Sequence, residues 1–224
     1  MSKAVKTLIM IALVCVFVAI GMLTRIPAYL SVKNGKTVNF NEAEAHSLKK
    51  GDMVEGTIDY ALGAIAEEYE TNFGFRTSSD STKLYYVLWM DNDNFVIYET
   101  ASSTEYDILD KITDETYSYL ESAANYGQSG SVDDMDPPVT TLQLEGTVRK
   151  MSSEVKDIFK EWYDENFDDG AFDTYCEPLM ISHTEFDNLL LFIYIGIFAL
   201  ALAVLFGIIA IIVWRKEKNA MYGY

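Results

Sequence analysis

The sequence predicts an α+β domain between two transmembrane helices, with a small, curved, mostly antiparallel sheet and two amphipathic helices in the domain. Two long apolar runs lie near the ends of the 224-residue chain, and β-rich runs and helical stripes lie between them. The expected organisation is a cytoplasmic N-terminus (1–6), a first span (7–28), an extracytoplasmic domain (29–187) with a flexible, partner-contacting loop (125–139), a second span (188–214) and a cytoplasmic tail (215–224).

Both apolar runs are long enough to cross a bilayer. Residues 7–24 hold no charge and would extend about 27 Å as a helix, and residues 189–214 would extend about 39 Å, against a hydrocarbon core of about 30 Å. The second run favours insertion by on the order of 5 to 11 kcal/mol. A cleavable signal peptide is the alternative for the first run. That run is longer than a usual signal core and no A-x-A-like site closes it, which favours an uncleaved anchor.

Basic residues near the ends of the runs predict the orientation, since acidic residues count for little. Arg215, Lys216 and Lys218 follow the second run, and no Lys or Arg lies between residues 170 and 188. The first run is equivocal because it has basic residues beyond both ends. Two spans place both termini on one side of the plasma membrane, so both termini are expected in the cytoplasm and residues 29–187 outside.

The domain is strongly acidic. Residues 25–188 hold 12 Lys and Arg against 33 Asp and Glu, a net charge of −21, although residues 25–50 alone are net +3. A solvated surface is the ordinary interpretation, and nucleic acid is excluded as a partner because phosphate would be repelled. Cys15 lies in the first span and Cys176 in the domain. They cannot meet, so the domain is expected to have no internal disulfide.

The first half of the domain is predicted to begin with a strand and a hairpin. Residues 53–61 alternate as a strand, and the runs KLYYVLWM (83–90) and FVIYET (95–100) flank a DNDN turn. A helix is expected to follow, with Ser102 and Glu105 forming a capping box. Its apolar face would contain Ile108, Leu109, Ile112, Thr116, Tyr119 and Leu120.

The second half is predicted to return to a strand over residues 140–151 and then to a helix capped near Ser152 and stopped near Gly170. The apolar stripe of this helix would contain Val155, Ile158, Phe159, Trp162 and Phe167. The run TYCEPLMIS is expected to be a short last strand that Pro178 interrupts.

Two segments nearly repeat each other, VEGTI (54–58) and LEGTV (144–148). In each, the Glu and Thr would point to water while a glycine, Gly56 or Gly146, would take a face otherwise filled by large side chains. Glycine inside a strand marks a bulge, a bend or a close backbone approach. These strand glycines are therefore expected to let the curved sheet bend over a helix. A half-domain duplication is the less favoured explanation.

No recognisable catalytic, cofactor or metal motif occurs in the sequence. The two histidines, His46 and His183, lack metal-type spacing to another His or Cys. Cys176 with His183 could form a nucleophile and base, but this pair is more readily structural. The acidic runs at 133–136 and 164–169 could collect Ca²⁺ weakly, although a solvated surface is favoured. We therefore predict no catalytic, cofactor or metal residue.

Small residues recur along one face of each apolar run. Close approach of helices in lipid needs such residues, so these stripes predict a helix-packing face whose partner is the other span or a second copy of the chain. The face comprises Gly196, Ala199, Ala203, Gly207 and Ala210 in the second run and Ala12, Cys15 and Ala19 in the first.

The segments GDMVEGTIDYALGAIAEEY, LYYVLWMDNDNFVIYET and LQLEGTVRKM resemble a family of two-span membrane proteins of unknown function, found mainly in Gram-positive gut bacteria. The resemblance covers roughly residues 45–165. It implies a bacterial plasma-membrane setting and a β-rich extracytoplasmic domain, and it transfers no active-site residue.

The expected function is that of a non-enzymatic module for binding or sensing, or an accessory subunit, held at the plasma membrane. Its expected partners are the lipid bilayer and a protein partner or second copy met through the spans. The alternative is a membrane-anchored extracellular hydrolase that uses carboxylates or the Cys176/His183 pair.

Overall fold

A computed structural model describes residues 2–69, 71–72, 75–76, 82–126, 137–167 and 170–223. Its helices and strands, in chain order, are α1 (Lys3–Leu23), α2 (Ile26–Lys33), β1 (Val38–Asn39), β2 (Met53–Ile58), β3 (Ala61–Glu68), β4 (Thr71–Asn72), β5 (Phe75–Arg76), β6 (Lys83–Trp89), β7 (Phe95–Thr100), α3 (Ser103–Tyr126), β8 (Leu142–Lys150), α4 (Ser153–Asn166), α5 (Phe172–Tyr175), β9 (Cys176–His183) and α6 (Phe186–Tyr222). They form two compact units, Met1–Gly35 with Glu185–Tyr224, and Lys36–Thr184.

The first unit is an antiparallel pair of helices, α1 and α6, with the short α2. The backbone N–H of Ser2 donates to the Glu217 carboxylate at 3.4 Å, which marks one end of the pair. Two stretches, 3–33 and 186–220, are long and apolar enough to cross a membrane. The helices do not end where the apolar runs end. The first helix ends at Leu23 and α2 begins at Ile26, with Pro27 in its first turn, and α6 continues past residue 214 through residues with good helix propensity.

The second unit is built on a seven-stranded mixed sheet in the order β1-β2-β8-β9-β7-β6-β3. The pairs β1–β2 and β7–β9 are parallel, and the other four pairs are antiparallel. The predicted α+β class, with a mostly antiparallel sheet, is confirmed. The predicted hairpin is also present, with Trp89 opposite Phe95.

This sheet must be strongly curved, because β2 and β3 are consecutive in the chain but five strand spacings apart in the sheet. A flat sheet would separate them by about 24 Å, whereas a two-residue connection reaches at most about 11 Å. The chain from 53 to 68 is therefore one bent strand that pairs with β8 through its first half and β6 through its second. The sequence pattern indicated only the first half, as a strand ending at residue 61.

The barrel has five strands when the bent strand is counted as the first. The first half of this bent strand also pairs with the short β1. The third, β7, runs parallel to the fifth, β9, and α3 connects the third to the fourth, β8. This connectivity is that of an OB-type barrel. The fifth strand passes through Pro178, which was expected to interrupt it. Pro178 is tolerated because it lies between Cys176 and Met180, where the pairing with β7 already shifts register.

The two faces of the sheet build two cores. The inner core contains Val54, Ile58, Tyr86, Leu88, Val96, Tyr98, Leu144, Val148 and Ile181 from the strands, with Leu109 and Ile112 from α3. The outer core contains Val87, Ile97 and Met180 from the strands, covered by Val155, Phe159 and Tyr163 of α4. Most buried positions of α3 and α4 fall on the predicted apolar faces, but Glu105 and Tyr163 are buried outside those faces. Helix α4 ends at Asn166 and not near Gly170, so Phe167, predicted on its apolar stripe, lies beyond the helix and is exposed. The Ser152 side chain caps α4 by accepting from the N–H of Val155 at 3.2 Å.

Candidate functional site

A polar cluster lies where β7, the first turn of α3 and the end of β9 meet. The Tyr98 hydroxyl donates to Oε2 of Glu105 at 3.0 Å, and Nδ1 of His183 lies 3.0 Å from Oε1 of the same carboxylate. His183 Nδ1 is also 2.9 Å from the Tyr98 hydroxyl. Parallel pairing of β7 with β9 positions the tyrosine and histidine, since Tyr98 lies opposite Ile181.

The cluster shifts the pKa values of two of its members. Burial raises the pKa of Tyr98, and the neighbouring Glu105 charge raises it further. Burial alone would raise the pKa of Glu105, but hydrogen bonds from His183, Thr100 and Tyr98 hold it below its ordinary value. The carboxylate is therefore ionised at neutral pH, and the phenol stays protonated and acts as a donor.

This cluster replaces the predicted capping box. The Glu105 carboxylate turns into the barrel, and the N–H of Ser102 instead donates to the Thr100 hydroxyl at 3.1 Å. The spacing from Ser102 to Glu105 fits a capping box, but the buried donors Tyr98 and His183 bind the carboxylate more strongly than one exposed N–H does. The sequence signal that could have revealed this is the position of Glu105, an ionisable residue three and four residues before the large apolar Ile108 and Leu109.

Cys176 and His183 cannot act together as nucleophile and base. They are the first and last residues of β9, so at about 3.3 Å per residue they lie roughly 23 Å apart. Cys176 is buried in the outer core, whereas His183 belongs to the polar cluster. The predicted alternative of a Cys176/His183 hydrolase is therefore wrong in its geometry.

The other histidine contacts a second buried carboxylate. Glu177 is 1 % exposed and its Oε1 accepts the backbone N–H of His46 at 2.6 Å. The His46 ring lies 3.0 Å from the carbonyl oxygen of Thr174 and 3.8 Å from Oε2 of Glu177. These contacts hold His46 in a left-handed conformation, with φ of 56°. The arrangement fastens the loop before β2 to the start of β9.

A concave site lies at the other face of the sheet, between the β6–β7 hairpin and the helices that cover it. It encloses about 230 Å³. Five aromatic side chains and one carboxylate line it: Trp89, Asp93, Phe95, Tyr163, Phe167 and Tyr175. We refer to it as the aromatic cleft. Its rings come from three separate segments, so no local motif in the sequence could have revealed it.

The hairpin turn places the carboxylate of the cleft. Met90 N–H donates to the carbonyl of Asn94 at 2.8 Å, and Asp93 N–H donates to the carbonyl of Met90 at 3.0 Å. Asp93 takes a left-handed conformation, with φ of 64°, which Asp tolerates in turns. Asn92 anchors the turn by donating from its side chain to the carbonyl of Ala43 at 2.8 Å.

The two glycine strands are neighbours in the barrel. VEGTI and LEGTV pair antiparallel about Glu55 and Glu145, so that Gly56 faces Leu144 and Val54 faces Gly146. A Cβ on Gly146 would lie 2.4 Å from Ile181 Cγ2, and a Cβ on Gly56 would lie 2.8 Å from the Cβ of Phe40. Both glycines therefore permit a close approach.

Asn41 lies next to Gly56, and its Oδ1 would be 2.7 Å from a Cβ on that glycine. The Thr57 N–H donates to Oδ1 of Asn41 at 2.8 Å, and Nδ2 of Asn41 donates to the Thr57 carbonyl at 3.0 Å, as a neighbouring strand would. Glu55 is exposed, and Thr57, Glu145 and Thr147 are half-buried.

The predicted helix-packing residues differ in burial along α1 and α6. Gly196, Ala199, Ala203 and Ala210 are buried, as is Ala19, whereas Ala12, Cys15 and Gly207 are half-buried. A Cβ on Gly196 would lie 3.0 Å from Leu23 and Met22. A Cβ on Gly207 would meet nothing within 4 Å, because Gly207 lines a cavity of about 480 Å³ with Ala12, Ala210 and Trp214.

Among the described residues, no group of three or more His, Cys, Asp or Glu could hold a metal ion. Residues 133–136 of the first acidic run, 168–169 of the second, and most of the loop expected to be flexible (127–136) lie outside the described part of the chain.

A family model matches residues 1–214 and is described as a domain of unknown function, DUF8577. The chain belongs to the DUF8577 family. No curated protein and no solved structure matches the chain. The DUF8577 match extends beyond the 45–165 region of the expected resemblance and includes α1 and most of α6. The family model therefore includes both the apolar helices and the barrel.

Proposed function

We propose that the protein is an integral plasma-membrane protein that presents its acidic barrel outside the cell as a binding, sensing or accessory module. The observation that supports this most is the surface of the two long helices. Large apolar side chains point outward along them, with Phe17 73 % exposed, Phe198 66 % and Tyr194 60 %. Such a surface is unfavourable in water and suited to lipid.

The pairing of α1 with α6 supports the proposed orientation. Basic residues are more numerous at the end marked by the Ser2–Glu217 hydrogen bond, and the positive-inside rule assigns that end to the cytoplasm. The basic residues there are Lys3, Lys6, Arg215, Lys216 and Lys218, whereas Arg25, Lys33 and Lys36 follow the other end of the first run.

Binding is favoured over catalysis by where the polar groups lie. The buried Glu105 carboxylate is held by Tyr98 and His183, and Oε1 of the buried Glu177 accepts the His46 N–H, whereas the concave site is lined by rings. The outer face of β6 and β7, which binds polymers in many OB-type barrels, is covered here by α4. The acidic charge further disfavours nucleic acid as a partner.

Cysteine labelling of intact cells tests this proposal. Two reporter cysteines are introduced separately in a Cys15→Ala background, Glu154→Cys on the exposed face of α4 and Asn219→Cys near the end of α6. The reaction of each with a membrane-impermeant maleimide is then compared. Glu154→Cys is expected to react on intact cells, and Asn219→Cys only after the membrane is permeabilised. The reverse pattern, or protection of both until lysis, would overturn the proposal.

A further inference from the structure

The aromatic cleft has the chemistry of a cation site. We propose that it binds a small organic cation of the quaternary-ammonium class, such as a trimethylammonium group. This deepens the proposed function by naming a ligand class for the binding module, and it does not depend on which side of the membrane the barrel occupies.

The rings supply the first requirement, which is a set of aromatic side chains around a space that is partly shielded from water. Tyr163 is 1 % exposed and Phe95 8 %, so they form the floor, whereas Phe167 at 36 % and Tyr175 at 41 % form an open rim. The faces of aromatic rings are electron-rich and attract cations, most strongly where water is excluded. Trp89, the best ring type for this interaction, completes the wall.

Contacts among the rings hold the cleft in shape before any ligand arrives. Phe167 lies 5.0 Å from Tyr163 and 5.2 Å from Phe95 between ring centroids. Trp89 is supported from behind by Tyr60 at 5.4 Å. A preformed site loses little side-chain entropy on binding. Its 230 Å³ is below the range of about 300 to 1,000 Å³ that suits drug-sized ligands, which favours a small head group.

The carboxylate supplies the second requirement, which is charge complementarity. Asp93 is exposed at the cleft, and no residue in the described part of the chain forms a hydrogen bond or ion pair with its side chain. The acidic body, net −21 over residues 25–188, adds a long-range attraction for cations.

The predominance of rings in the cleft, five against one carboxylate, selects the kind of cation. A primary ammonium presents three N–H donors and a sugar presents many hydroxyls, all of which need partners once water is removed. A quaternary ammonium has no N–H and keeps its charge at every pH. It therefore suits a wall of rings with a single carboxylate.

Binding to the full chain in a maltoside detergent, which has no choline head group, tests this proposal. Choline and tetramethylammonium are titrated against Trp fluorescence and by calorimetry, at ionic strength matched with NaCl. The neutral isostere 3,3-dimethylbutanol serves as the ligand control. Saturable binding of the cations is expected, with the isostere weaker by about tenfold or more.

Two matched pairs of variants test the named residues. Asp93→Asn retains a residue type that tolerates the turn and is expected to weaken choline binding several-fold, whereas Asp91→Asn on the same turn is not. Tyr175→Ala is expected to abolish choline binding. Tyr117→Ala, which removes a ring on α3 outside the cleft, is expected to leave it unchanged. Melting temperatures establish that each variant is folded.

Any one of four results would overturn the cation site, the first three of which concern choline and its isostere. These three are no saturable cation binding by the wild type, equal affinity for choline and its isostere, or choline binding that Asp93→Asn and Tyr175→Ala leave unchanged in folded protein. Binding of a neutral oligosaccharide in place of choline would assign the cleft to sugars and also overturn it. None of these results bears on the labelling of intact cells, so the two proposals can fail separately.

Discussion

The two compact units use small residues in different ways. In the barrel, Gly56 and Gly146 each lie against side chains of another element, at distances that leave no room for a Cβ. In the helix pair, a Cβ on Gly196 would be less crowded, at 3.0 Å from Leu23 and Met22, and Gly207 on the same stripe borders a cavity. The barrel also has an ionised carboxylate in its interior, at Glu105. The packing at a small residue is thus decided by the side chains opposite it. The spacing of small residues along the sequence does not show which side chains these are.

Substitution of the central barrel glycine should have the largest effect. Gly146→Val places its Cβ 2.4 Å from Ile181 Cγ2 and 3.1 Å from the Ser182 carbonyl oxygen, in a fully buried position. We expect a loss of about 3 kcal/mol or more in the free energy of unfolding, because the neighbours are a core side chain and backbone. Thermal unfolding in detergent, followed by tryptophan fluorescence in a Trp214→Phe background that retains Trp89 and Trp162, measures it.

Gln143→Val on the same strand is the matched control, since residue 143 is exposed and valine favours strands. It should leave the melting temperature of the barrel nearly unchanged. Equal melting temperatures for Gly146→Val and Gln143→Val would show that the close approach at Gly146 does not matter to the barrel.

Removal of the buried charge should have the next largest effect and should depend on pH. The pKa of Glu105 is depressed in the folded state, so its stabilisation is present above the unfolded value of 4.5 and is lost as pH falls through the folded value. Glu105→Gln is expected to cost about 1 to 3 kcal/mol at pH 7. The difference from wild type should shrink below pH 4.5.

Unfolding curves of both proteins from pH 7 to pH 3 measure this dependence, with Glu121→Gln on the exposed face of α3 as the control. A difference that stays constant over this range would contradict the ionised, hydrogen-bonded state of Glu105. The helix pair has no ionisable group in residues 7–24 or 189–214 other than Cys15 and Tyr194, so its association should not follow this profile.

Local features of the barrel were predictable from sequence, whereas features made by distant segments were not. The hairpin, the faces of α3 and α4 and the cap at Ser152 rest on periodicity and turn chemistry within about twenty residues. Closure of the barrel, the pairing of VEGTI with LEGTV and the aromatic cleft join segments that are far apart in the chain. Glu105 shows the limit most clearly, because its local pattern suggested a cap while its partners lie on β7 and β9.

A bulky residue at the enclosed end of the helix stripe should separate the helices. Gly196→Leu would force a side chain into Leu23 and Met22 of α1, at a cost of about 1 to 3 kcal/mol. Ser2→Cys and Glu217→Cys, at the other end of the pair, report its closure through a short bifunctional maleimide in a Cys15→Ala background. Intramolecular cross-linking should fall while the fluorescence melting curve of the barrel stays the same.

The same substitution at the open end should have the smallest effect, with the opposite sign. Gly207→Leu points into the cavity lined by Ala12, Ala210 and Trp214, so it adds contacts without displacing a neighbour. Filling a void gains at most about 1 kcal/mol, and leucine also favours a helix over glycine by a similar amount. Cross-linking should therefore be unchanged or slightly increased. A loss equal to that of Gly196→Leu would mean that the whole stripe is one continuous contact, and the contrast between its two ends would then have to be abandoned.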